Sequence, residues 1–185
     1  SRAFRHSFIC INTQKSVKSP KDLEGRKIGV PLHTMSAAIW CRGVLRDEYG
    51  VDLSTITWVE GAMEQAGSHG FARDHQLAVP TRIEHNKSGK SLSELLHEGA
   101  IDATLGALMP TNFGTSPYIE RLFPNYRAVE IASYQKTGVH PIMHLVVIRK
   151  TTLEKHPWVI EPLMQAFAQA KELAIAWLAA TGCGE

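Results

Sequence analysis

The sequence predicts an α/β protein with a mostly parallel sheet, and three observations carry that reading. Short apolar, β-branched runs alternate with helical patterns along the chain. Three of the four helical patterns are punctuated by a capping residue at the start and a glycine at the end. The composition is that of a globular core, with 44% hydrophobic and 21% charged residues. Strands joined by intervening helices must run parallel, because only a crossover of that length returns the chain to the same edge of a sheet.

Phe8-Ile9-Cys10-Ile11 reads as a buried strand. Ser19-Pro20 opens a helical turn, with an N-cap hydroxyl followed by proline at the first helical position, and Gly25 closes it. Lys27-Ile28-Gly29-Val30 is a strand ended by Pro31. Ser36 to Tyr49 is a helix whose apolar side is Ala37, Ile39, Trp40, Val44 and Leu45, with Gly50 as its stop. Ile56-Thr57-Trp58-Val59 is the next strand, Gly61 to Gly70 a loop, and Thr81 to Glu84 a short strand. Ser91-Leu92-Ser93-Glu94 is a capping box opening a helix that Gly99 ends. Ile101 to Leu105 follows as a strand, and Leu145-Val146-Val147-Ile148 reads as a central one. From Pro157 to Leu178 the apolar residues Leu163, Phe167, Ala170, Ala174 and Trp177 mark a last helix.

Several function classes are excluded or disfavoured. A net charge of +2 with scattered basic residues does not suit a nucleic-acid binder. No apolar run approaches the roughly 18 residues of a membrane span. The residues after Ser1-Arg2-Ala3-Phe4-Arg5-His6 lack the long apolar segment of a signal peptide. Cys10, Cys41 and Cys183 are odd in number and far apart, which argues against a disulfide framework or structural zinc and for a reducing, cytoplasmic setting. The sequence has no GxGxxG, P-loop, HExxH or GxSxG. Among nine histidines no pair has ligand spacing on a helix; His140 and His144 flank a proline and lead into a strand, so no metal is expected.

Two stretches carry candidate chemistry. The step from Val30 through Thr34 and Met35 into the helix at Ser36 presents unpaired backbone N–H groups, a positive dipole end and two hydroxyls, which suit a carboxylate. The same residues also read as plain helix capping. Arg5-His6-Ser7, ahead of the first strand, is a carboxylate fork, a titratable ring and a hydroxyl, or simply a solvated strand end. His144 is the second titratable candidate, with a core position as its alternative.

Ser19-Pro20-Lys21-Asp22-Leu23-Glu24-Gly25-Arg26-Lys27-Ile28-Gly29-Val30-Pro31 resembles the segment that opens the second lobe of type 2 periplasmic-binding-protein folds. Phe4-Arg5-His6-Ser7, the run Trp40 to Val51, Arg121-Leu122-Phe123-Pro124 and Pro141-Ile142-Met143-His144 resemble the 4,5-dihydroxyphthalate decarboxylase family in the same order. The resemblance implies a periplasmic-binding-protein-like α/β fold with one complete lobe and part of another. Residues 1–18 would be part of the first lobe and the hinge strand, 19–139 the second lobe, and 140–185 a return strand and C-terminal helix of the first. Family members are longer, so the chain reads as shortened at both ends. A strand left uncovered for that reason, at 8–11 or 145–148, predicts a homodimer.

The activity implied is cofactor-free decarboxylation of an aromatic dicarboxylate, a small aromatic carboxylate being the partner. His6 and His144 would be the titratable groups. Arg5, Ser7, Thr34, Met35, Ser36 and Arg42 would bind substrate, although a mid-helix arginine such as Arg42 is more often a surface residue. Leu108 to Asn112 lacks the positive charge that many relatives carry there. The rival reading is a solute-binding protein of a transporter, periplasmic, closing on a small organic anion without chemistry.

Overall fold

A computed structural model describes residues 3–70 and 80–181. The chain divides into two compact units, residues 1–144 and 145–185. The first holds a six-stranded sheet in the order β4-β3-β2-β5-β1-β6. Its strands are β1 (Cys10–Asn12), β2 (Lys27–Val30), β3 (Thr57–Glu60), β4 (Arg82–His85), β5 (Ala103–Thr104) and β6 (Ile119–Arg121). β2, β3, β4 and β5 run parallel, while β1 lies antiparallel between β5 and β6. The helices of this unit are α1 (Ser36–Asp47), α2 (Leu92–His97) and α3 (Tyr126–Thr137). The expected α/β class and parallel pairing of the strands near residues 28, 57 and 102 are therefore present.

Alternation along each strand divides the core between the two sheet faces. Ile28, Val30 and Trp58 pack with Ala38, Cys41 and Leu45 of α1. Cys10, Val59 and Ile101 pack with Leu92, Leu95 and Leu96 of α2. Gly29 is the point of closest approach on the second face, where an added Cβ would lie 2.7 Å from Ile101 Cδ1. Asn12 ties β1 to α2, its side chain donating to the Leu96 carbonyl at 2.7 Å.

The expected capping box forms at Ser91, and the expected cap at Ser19 is completed by Asp22 as a second box that opens a 3-10 turn, Pro20–Leu23, instead of an α-helix. Several expected elements are shorter: the helix from Ser36 stops at Asp47, and the strand around 101–105 pairs only through Ala103 and Thr104. The first strand starts at Cys10 because His6–Phe8 forms a 3-10 turn. β1 is buried and paired on both edges, so the expectation that the sheet is uncovered near residues 8–11 does not hold.

The apolar run 145–148 forms no strand, and Leu145, Val146 and Val147 are exposed. Its β-branched composition favours extended backbone, but β1, the neighbour expected for it, has no free edge. The second unit consists of α4 (Lys150–Lys155), a 3-10 turn Pro157–Val159 and α5 (Ile160–Thr181). Pro162 sits in the first turn of α5, where no intrahelical N–H bond is lost. Among the described residues, no helix is long and apolar enough to cross a membrane.

Candidate active site

Four parallel strands deliver their carboxyl ends to one edge of the sheet, the edge at which open α/β folds gather ligand-binding loops. Pro31 to Ser36 leave β2 there, Gly61 leaves β3, Asn86 leaves β4 and Gly106 follows β5. Gly106 has a φ of 147° and lies against Pro31, so the loops after β2 and β5 touch.

Arg5 reaches this edge. The residue is 5% exposed, and its Nη1 donates to the Gly106 carbonyl at 3.4 Å. Its Nε has no partner among the described residues, and the guanidinium lies 4.9 Å from the centre of the Phe8 ring. Burial draws the guanidinium below its ordinary range, against the pull of Cys41 and Glu130. A buried cation with one long bond to a carbonyl retains most of its donor capacity.

The entrance of α1 lies at the same edge. Met35 occupies the N-cap position with extended backbone and makes no capping bond through its side chain. Neither Thr34 nor Ser36 supplies a side-chain cap, so the first N–H groups of α1 are left for solvent or a ligand. Thr34 and Met35 are half-buried and Ser36 is exposed.

His6 is placed elsewhere. Its ring is sealed between Tyr49 and Phe123, at centroid distances of 6.1 and 5.2 Å, and neither nitrogen has a hydrogen-bond partner among the described residues. Glu48 Oε1 is 3.9 Å from Nε2 and accepts the Ser133 hydroxyl at 2.9 Å. Burial lowers the His6 pKa more than Glu48 and Glu130 raise it, so the ring is neutral at neutral pH. Arg5 and His6 line a cleft of about 170 Å³ along α1 with Trp40, Val44, Glu48 and Pro141. Ser7 is fixed through its backbone, its N–H donating to Glu130 at 2.9 Å and its carbonyl accepting from Arg121 at 3.0 Å.

Arg42 faces a different cleft, of about 570 Å³, which it lines with His33, Arg46 and Trp58. Its guanidinium donates to the His33 carbonyl and stands 5.6 Å from the Trp58 ring centre, with burial pulling its pKa to about 10. Burial and the Arg42 charge together push the His33 pKa to about 4. His144 is exposed at the end of the first unit and lines neither cleft. The structure therefore brings Arg5 and the α1 entrance to one edge, with His6 beside Arg5 in the cleft along α1, Arg42 bonded to the loop that leads into α1 but lining a second cleft, and His144 lining neither.

Sequence reasoning missed a polar group at that edge. Glu60 ends β3 and is 8% exposed. Its Oε1 accepts the His33 backbone N–H at 2.6 Å, and its Oε2 lies 3.3 Å from His85 Nδ1. Glu60 and His85 are register partners at the ends of β3 and β4. The available signal was a charge at the last position of an otherwise buried strand.

No known family model matches the chain. It is 35% identical over 184 residues to 4,5-dihydroxyphthalate decarboxylase of Comamonas testosteroni, an alignment covering 98% of this chain and 55% of that protein. It is 35% identical over 115 residues to 4,5-dihydroxyphthalate decarboxylase of Pseudomonas putida, covering 61% of this chain and 43% of that protein. The chain thus spans about half the length of the curated relatives it matches.

Proposed function

We propose, for a chain that belongs to the 4,5-dihydroxyphthalate decarboxylase family, a cofactor-independent decarboxylation of an aromatic dicarboxylate at the carboxyl edge of the parallel sheet. The observation that carries this reading is Arg5, a buried guanidinium with no carboxylate among the described residues at ion-pairing distance. A buried cation left short of partners is costly, and an incoming carboxylate offsets that cost. The uncapped entrance of α1 is the natural seat for the second, ortho carboxylate of a phthalate. The parallel strands with one antiparallel neighbour also support a periplasmic-binding-protein-like lobe as the parent fold.

The chemistry needs nothing beyond a held substrate and a proton. Protonation of the carboxyl-bearing ring carbon draws an electron pair from the ring, and the para hydroxyl stabilises the resulting cation. The bond to the carboxylate then breaks, carbon dioxide leaves, and the electron pair of that bond restores the aromatic ring. A solute-binding protein would share the anion seat and omit the proton donor. The decarboxylase names of both curated relatives favour chemistry over transport.

The test is direct. The chain is incubated with 4,5-dihydroxyphthalate in deuterium oxide, and the product is followed by mass spectrometry and NMR. The expected product is protocatechuate with one ring deuterium, and Arg5→Gln raises KM by roughly tenfold to a hundredfold, the scale of a lost charge-assisted hydrogen bond. Saturable binding with no product would overturn the decarboxylase reading in favour of a binding protein. An unchanged KM in Arg5→Gln would remove Arg5 from the site.

A further inference from the structure

The decarboxylation needs a proton donor, and neither His6, neutral and sealed beside the last turn of α1, nor His144, outside both clefts, stands at the edge where Arg5 and the α1 entrance meet. The geometry points to His85 as the acid that protonates the ring carbon, with Glu60 as its positioning residue; this rests on the decarboxylase reading above.

Three features of the pair support the assignment. Glu60 is almost fully buried, and its carboxylate is fixed on one side by the His33 N–H at 2.6 Å. Its other oxygen is 3.3 Å from His85 Nδ1, which orients the imidazole and leaves Nε2 as the proton-bearing face. His85 itself is largely exposed, with a side-chain accessibility of 69%, so solvent can return the proton after each turnover. A buried carboxylate holding an accessible imidazole is the arrangement by which one group orients and another transfers.

The spacing along the sheet edge fits the substrate. His85 ends β4, and Arg5 meets the loop after β5, with β3 and β2 between them. Three interstrand steps separate these positions by about 14 Å of backbone. Arg5 already meets that edge with its guanidinium, so the reach of the His85 imidazole alone shortens the span, and a benzene ring with its carboxylate and hydroxyl substituents is of a size to bridge the remainder. The α1 entrance, at the end of β2, lies within the same span. In the step itself a C–H bond forms at the ring carbon from the His85 proton, the C–C bond to the carboxylate breaks, and carbon dioxide departs. His85 regains its proton from water.

The experiment measures kcat and KM for 4,5-dihydroxyphthalate in the wild-type chain and in His85→Asn, His85→Gly, Glu60→Gln and Glu60→Asp. His85→Asn is expected to lower kcat by at least a hundredfold, the usual scale for loss of a general acid, with KM within threefold. Added imidazole should restore part of the turnover of His85→Gly. Glu60→Gln should lower kcat at least tenfold, and Glu60→Asp should recover part of it, a pattern that loss of packing does not give. His85 is exposed, so its replacement leaves the core intact. A kcat within threefold of wild type in His85→Asn overturns the assignment while leaving the decarboxylase reading standing. A wild-type chain that yields no protocatechuate overturns both.

Discussion

Replacing His33 by Phe should remove a measurable part of the acid sensitivity of folding. His33 is 5% exposed, its Nδ1 has no partner among the described residues, and its ring meets Trp58 edge-on at 5.4 Å. Burial, helped by the Arg42 charge, drops its pKa from 6.5 to about 4. A depressed pKa means that the folded state binds the proton less readily than the unfolded chain. Stability from this group is therefore complete above pH 6.5, falls as the pH drops through that value, and is fully lost below pH 4. The whole shift corresponds to about 3 kcal/mol, of which about 2 kcal/mol is lost between pH 7.5 and pH 5.

His6 is also depressed by burial, so the wild-type curve alone does not isolate His33. The difference between wild type and His33→Phe does, because phenylalanine keeps an aromatic ring on Trp58 and cannot titrate. Urea unfolding of both proteins at half-unit steps from pH 7.5 to pH 5 measures that difference. The variant should lose about 2 kcal/mol less than wild type over this range. Parallel stability curves for the two proteins would refute the reasoning, since they would mean that His33 charges without opposition in the folded state.

Two further predictions concern packing and thiol chemistry. Gly29→Ala places a Cβ 2.7 Å from Ile101 Cδ1 and 3.1 Å from Thr104 Cγ2, and should cost about 1–3 kcal/mol in urea unfolding; a neutral result would show that Ile101 moves aside freely. Burial pushes the thiols of Cys10 and Cys41 up to about 12, so neither should react with iodoacetamide at pH 8 in the native protein, while both should react in urea. Site-resolved mass spectrometry reads the outcome, and rapid native labelling of either cysteine would contradict the burial argument.

What could be read in the sequence was what local chemistry writes into adjacent residues. Ser91 and Glu94 announce a capping box because both partners lie within one turn, and Lys27 to Val30 is followed by Pro31, which fixes its end. The run 145–148 shows the limit of that method. Its composition favours extended backbone, but whether it pairs depends on a free sheet edge, and β1 has none. β6 and α3 were not anticipated for a related reason. α3 carries exposed Ile131 and Tyr134 and buries only Ser133, so its apolar residues trace no clear stripe.

The candidate site divides along the same line. Arg5 was visible as a cation ahead of a strand, but a cation becomes an anion seat only when the fold buries it and leaves its donors unused. Neither condition is written in residues 4–8. Arg42 was the weaker candidate in the sequence, as a mid-helix arginine, and the fold spends it on the His33 carbonyl and the Trp58 ring, in a different cleft from the one Arg5 lines. Glu60 and His85 drew no notice because strand register alone makes them neighbours. A site differs from ordinary packing by its unspent hydrogen-bonding capacity, and only the folded chain reveals which groups retain it. On that criterion the Arg5 guanidinium, the uncapped entrance of α1 and the exposed face of His85 belong to one edge of the sheet, and substrate turnover in their variants tests them as a unit.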